Sequence, residues 1–149
     1  MGNNNQINNK FQIASDNEVL STKLISNNLE ERTARFAENV LKLCRTLSKS
    51  FENIELIKQL IRSSGSVAAN YVEAQEALSN KDFYYRLRIT KKEAKESYLW
   101  LRLLKVNNSN QINNLNDLIN EAIQLVKIFS KAITHDKTKK CRVSSNKCQ

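Results

Sequence analysis

Gln59-Leu-Ile-Arg-Ser-Ser-Gly-Ser-Val-Ala-Ala-Asn-Tyr-Val-Glu-Ala-Gln-Glu-Ala-Leu78 is the stretch that decides how this chain folds. With Ile57 just before it, the residues Leu60, Ile61, Ser64, Val67, Ala68, Tyr71, Ala74 and Leu78 recur at spacings of three and four. That period places them on one face of a helix. The middle of the face is small: Ser64, Gly65, Ser66, Ala68 and Ala69 let a neighbouring helix approach closely. Asn70 and Glu73 put polar groups beside this seam, where a buried group without a partner costs about 1–3 kcal/mol. The stretch therefore reads as the central helix of a bundle, specified by close packing and a few internal hydrogen bonds.

Composition agrees with an all-α chain. The 149 residues include no Pro and only two Gly, and Leu, Ile, Ala, Lys, Glu and Asn are abundant. The length suits one domain with its own core. No apolar run approaches the ~18–20 residues of a membrane span. The start, Met1-Gly-Asn-Asn-Asn-Gln6, lacks the apolar core of a signal peptide and the Ser or Thr of a myristoylation signal. A cytoplasmic location is expected. Formal net charge is +9, which points to nucleic acid or an acidic protein as partner. Cys44, Cys141 and Cys148 are an odd set, His135 is the single histidine, and no Cys/His cluster has zinc-site spacing. No metal and no cofactor is expected. Cys44 falls in an apolar helical pattern and reads as core, while Cys141 and Cys148 could form a disulfide or do nothing, a reducing compartment favouring the second.

Outward from the central helix, the pattern gives four helices in an antiparallel up-down bundle over residues 29–135. Residues 1–28 form an Asn-rich leader expected to be partly disordered. The first helix is expected from Asn28 to Ser50, with Leu29, Thr33, Phe36, Val40, Leu43 and Leu47 inward. Arg35, Lys42, Arg45 and Lys49 recur on its opposite side, as an ordinary solvated face or a stripe for a polyanion. Phe51-Glu-Asn53 reads as a short connection to a second helix from Ile54 to Leu78. Ser79-Asn80 leads to a third from Lys81 to Val106, the residues Asn107 to Asn114 read as a loop, and the fourth helix runs from Leu115 to Thr134. Short connections make consecutive helices antiparallel neighbours. The remaining basic tail, Asp136 to Gln149, is of the kind often disordered and often used on polyanions.

The third helix carries the functional signal. Phe83, Leu87, Thr90, Ala94, Ser97, Leu101 and Leu104 face inward, whereas Lys81, Arg88, Lys91, Lys92, Lys95 and Arg102 fall in a band about 100° wide on the other side. Tyr85, Ile89, Leu99, Trp100 and Leu103 are apolar yet off the core face. A helix apolar on more than one side is buried on more than one side, and in so small a domain the simplest second surface is another subunit.

The run Gln59 to Ala74, with Ser79-Asn-Lys-Asp-Phe83, Lys92-Glu-Ala94, Tyr98-Leu-Trp-Leu-Arg-Leu-Leu104, Glu31-Arg-Thr-Ala-Arg-Phe-Ala37 and Glu121-Ala-Ile-Gln-Leu-Val-Lys-Ile-Phe129, resembles the bacterial four-helix-bundle proteins also called 23S ribosomal RNA intervening sequence proteins. The resemblance covers about residues 29–138. It implies an antiparallel four-helix bundle that assembles into a ring, typically a pentamer. It also implies kinship with the accessory subunit of diversity-generating retroelements, a basic ring that works with a reverse transcriptase and nucleic acid. Arg62, Ser66, Asn70 and Glu73 match the family signature and are expected to form an internal hydrogen-bonded set that fixes helix register. Tyr98 and Trp100 match its aromatic segment. Ser48 stands where many members have Pro, and the leader and the Cys-containing tail lie outside the pattern.

Enzymatic chemistry has little to work with here: one histidine, no glycine-rich phosphate loop and no nucleophile–base set. Glu73 with Glu76, and Glu93 with Glu96, lack the Glu-x-x-His pairing of carboxylate metal bundles. The leading expectation is a non-catalytic homo-oligomer that binds RNA or DNA through phosphate contacts. The rival is a protein-interaction scaffold or accessory subunit docking a partner enzyme such as a reverse transcriptase.

Overall fold

The computed structural model describes residues 28–145, with side chains through Thr134 apart from that of Ser109. Helix α1 spans residues 28–46, α2 Phe51–Gln75, α3 Asn80–Asn107 and α4 Ile112–Ser145, and a single 3-10 turn, Ser109–Gln111, joins α3 to α4. There is no strand among the described residues.

Local chemistry sets the helix ends. The Ser50 hydroxyl accepts from the Asn53 N–H and the Ser79 hydroxyl from the Asp82 N–H, capping α2 and α3. Glu52, in the first turn of α2, is held below the ordinary carboxylate range by its own N–H and the Ser50 hydroxyl. At the far end of α1, Lys49 Nζ donates to the Cys44 carbonyl, serving an oxygen that the ending helix leaves unpaired.

Four cross-links fix the antiparallel register of α2 and α3. The Asn53 amide exchanges hydrogen bonds with Asn108, Arg62 bonds to Glu93 and Glu96, Ser63 accepts from Ser97, and Glu73 pairs with Arg86. As the α2 partner advances from 53 to 73, the α3 partner retreats from 108 to 86. Helix α3 packs on α4, and Arg32 on α1 holds Glu121 and Gln124 on α4. The helices thus follow one another around the bundle, with α1 and α3 at diagonal corners. Phe36, Val40, Leu60, Val67, Leu87, Leu101, Leu115, Leu125 and Phe129 are among the residues of one continuous core.

Several boundaries differ from the sequence expectation. Helix α1 stops at residue 46 rather than Ser50, and Phe51 to Asn53 belong to α2, because Ser50 supplies the cap one turn before the apolar pattern begins. Helix α2 ends at Gln75, so Leu78 lies beyond it and is exposed, as is Ile61 on its outer edge. The expected loop from Asn107 to Asn114 shrinks to the 3-10 turn and its flanks. Helix α4 does not stop at Thr134 but continues to Ser145, since Asp136-Lys-Thr-Lys-Lys140 contains neither Gly nor Pro to end it. Residues 1–27 and 146–149, including the leader's expected disorder and Cys148, lie outside the described residues, and nothing described bears on a disulfide. No described residue other than glycine has a positive φ, Gly65 has none either, and no peptide bond among the described residues is cis.

Candidate nucleic-acid interface

The charges of α3 are sorted by side. At about 100° per residue, Asp82, Glu93 and Glu96 turn towards α2. There Arg62 reaches Glu96 at 2.6 Å and Glu93 at 3.4 Å, and Arg86 pairs with Glu73. The basic band turns outward and towards α4. Lys81, Arg88, Lys92, Lys95 and Arg102 are exposed and Lys91 is half-buried. Among the described residues, Lys81, Arg88, Lys91 and Lys95 have no carboxylate partner. Lys92 sits 3.5 Å from Glu96, and the Arg102 guanidinium lies 5.6 Å from the centre of the Tyr98 ring.

Helix α4 extends this surface with residues that sequence reasoning missed. Lys127 and Lys131 are exposed on its outer side. Counting along each helix from the turn between them places this pair level with Lys92 and Arg88. The acids of α4 whose side chains are described lie elsewhere: Glu121 is bound by Arg32, and Asp117 lies on the side of α1. The outer surface of α3 and α4 thereby collects cations, while among the described side chains the carboxylates of both helices are turned to α2 and α1.

The α1 stripe does not join it. Helix α1 stands diagonal to α3 and borders α4 on the side away from it, and two of the four stripe cations have local duties. Arg35 pairs with Glu31 at 2.8 Å, and Lys49 caps the helix end. Lys42 makes only a 3.4 Å contact with Asn39, and Arg45 is exposed. No signal in a single helix announces this separation, because it depends on which corner each helix occupies.

The signature residues behave differently from the expected internal set. Asn70 donates to the Ser66 carbonyl within α2, while Arg62 and Glu73 are half-exposed and reach separate partners on α3. They lie on the flank of α2 that borders α3 rather than on the core seam. The internal polar contacts that lock register are instead Asn53–Asn108 and Ser63–Ser97, all four residues buried.

The off-core apolar residues of α3 also divide. Tyr85, Leu99 and Leu103 are 57%, 44% and 40% exposed; Tyr85 and Leu103 border the basic band on its α2 side, and Leu99 lies at that edge of the band itself. Ile89 and Trp100 are half-buried; Trp100 packs against the core, and its buried Nε1 finds no acceptor among the described residues. Both fall on the side of α3 that carries Glu93 and Glu96 towards α2. A further exposed set, Leu41 on α1 with Ile54, Ile61 and Val72 on α2, lies on the other flank of α2. Among the described residues no group of three or more His, Cys, Asp or Glu could hold a metal ion.

A family model described as 23S rRNA-intervening sequence protein matches residues 25–131. A solved structure from Bacteroides thetaiotaomicron, described as a protein with unknown function from the S23 ribosomal protein family, is similar to this chain. The match covers 70% of this chain and 96% of that one, at 29% identity and a TM-score of 0.64. No curated protein matches the chain.

Proposed function

The chain belongs to the 23S rRNA-intervening sequence protein family, and from that premise we propose that it is a non-catalytic, self-associating protein that binds RNA or DNA through phosphate contacts. The observation that carries this is the sorting of charge. Arg88, Lys91, Lys95, Lys127 and Lys131 have no carboxylate partner among the described residues and share one outer surface. Such a surface neutralises phosphates and releases counterions, giving affinity with a steep salt dependence.

Self-association uses the apolar strips on the two flanks of α2, one beside α1 and one on α3. Because the strips differ, a contact of one with the other is head-to-tail, the kind that closes into a ring. A ring of five is what the family resemblance implies, and it repeats a modest cationic surface so that weak sites add to tight binding. The outer surface of α4 and the part of α3 that faces it, with Arg88, Lys91 and Lys95, stay open in that arrangement. No helix among the described residues is long and apolar enough to cross a membrane, and the cytoplasm is the proposed setting.

The test is a binding titration with single-stranded and duplex nucleic acid at two salt concentrations. Affinity should fall steeply with salt and be lost on charge reversal at Lys91, Lys92 and Lys95. Affinity indifferent to both would sink the reading. The exposed apolar residues beside α2 also support the second reading, a scaffold that docks a partner enzyme such as a reverse transcriptase. A defined protein retained through a high-salt wash would favour it, and nucleic acid released by the same wash would favour the first.

A further inference from the structure

Between the end of α1 and the start of α4 lies a groove of about 360 Å³ that the phosphate-binding surface does not use. Lys42, Asn39 and Thr46 line it from α1, Asn114 and Asp117 from α4, and Leu43 and Leu118 complete its lining. Lys42 and Asp117 share this groove without pairing with each other, and Asp117 is bonded to no described residue. We propose that this groove holds one unstacked base of the bound strand, so that the protein reads base identity there. The proposal rests on the nucleic-acid reading above and adds a specificity that phosphate contacts lack.

The chemistry selects the ligand class. A carboxylate in the groove disfavours a bare phosphate and, accepting only, favours a group that donates. The exocyclic amino groups of adenine and cytosine are such donors, whereas uracil presents a carbonyl at that position and keeps only its ring N3–H to donate. The amides of Asn39 and Asn114 donate and accept, which suits the remaining base edge. Leu43 and Leu118 offer apolar cover for a flat ring, and the volume falls in the range of small-ligand sites. Lys42 supplies a cation for the phosphate attached to that nucleotide.

The experiment measures affinity for short single-stranded homopolymers of A, C and U across a salt series, for the full chain and for Asp117→Asn. Asp117 is exposed, and the amide substitution keeps its size. The full chain should bind A and C about tenfold more tightly than U, the scale of one specific base contact. Asp117→Asn, which can also donate, should narrow that preference severalfold and leave the salt slope unchanged. Equal binding of all three with a steep salt slope overturns the base site and leaves the phosphate reading standing. A preference that Asp117→Asn does not alter also overturns it. No binding at any salt overturns both.

Discussion

Asn53 is fully buried, and its amide nitrogen has three acceptors: the Ser48 carbonyl at 3.1 Å, the Ser48 hydroxyl at 2.7 Å and Asn108 Oδ1 at 3.0 Å. Asn108 returns a bond to Asn53 Oδ1 at 3.2 Å and ties itself to the Leu104 carbonyl. Removing one partner strands the other, so Asn53→Ala should cost about 2–3 kcal/mol in urea unfolding. Asn53→Ala with Asn108→Ala should cost less than the two singles together, since they share one interaction. Cys44 supplies a pH test. Burial raises its thiol from 9.0 to about 11, with Lys49 opposing weakly, so the unfolded chain gives up that proton first. Its contribution is present in full below about pH 9 and is lost as pH rises towards 11. The unfolding midpoint should therefore fall over that window more in the wild type than in Cys44→Ala. Tyr71, raised by burial to about 12, adds a loss in the same direction at higher pH.

Helices are where the sequence was most legible. The inward faces of α1, α3 and α4 follow the three-and-four spacing, from Phe36 and Val40 to Leu125 and Phe129, because burial of one stripe is what amphipathic helices respond to. Boundaries were less legible, since Ser50 and the run after Thr134 turn on local capping and on the absence of a stop signal rather than on periodicity. Gly65 tests the element directly. It sits inside α2, and a Cβ added there would meet nothing within 4 Å. Gly65→Ala should stabilise the isolated bundle by about 0.5–1 kcal/mol by reducing the freedom of the unfolded chain. Thermal unfolding monitored by circular dichroism would register this as a raised Tm. At the head of α3, Ser79→Ala should cost about 1 kcal/mol through the lost cap.

At the scale of the whole molecule, charge and apolar surface occupy different sides, and this was only half legible. The basic band of α3 could be read from its own spacing. Lys127 and Lys131 could not, because they join it only when α4 takes the adjacent corner, and Arg62 could be matched to Glu93 and Glu96 only through the antiparallel register. If self-association uses the flanks of α2, Gly65→Arg should leave helicity intact and lower the mass measured by sedimentation. An unchanged mass would exclude that contact. The backbone itself has a consequence for how such a protein can change over time. Since no described residue requires a left-handed conformation or a cis bond, and only two Gly and no Pro occur in 149 residues, the fold makes almost no demand for the amino acids whose codons begin GG or CC. Mutational pressure towards A and T can therefore enrich the gene in Asn, Lys and Ile codons while the bundle persists.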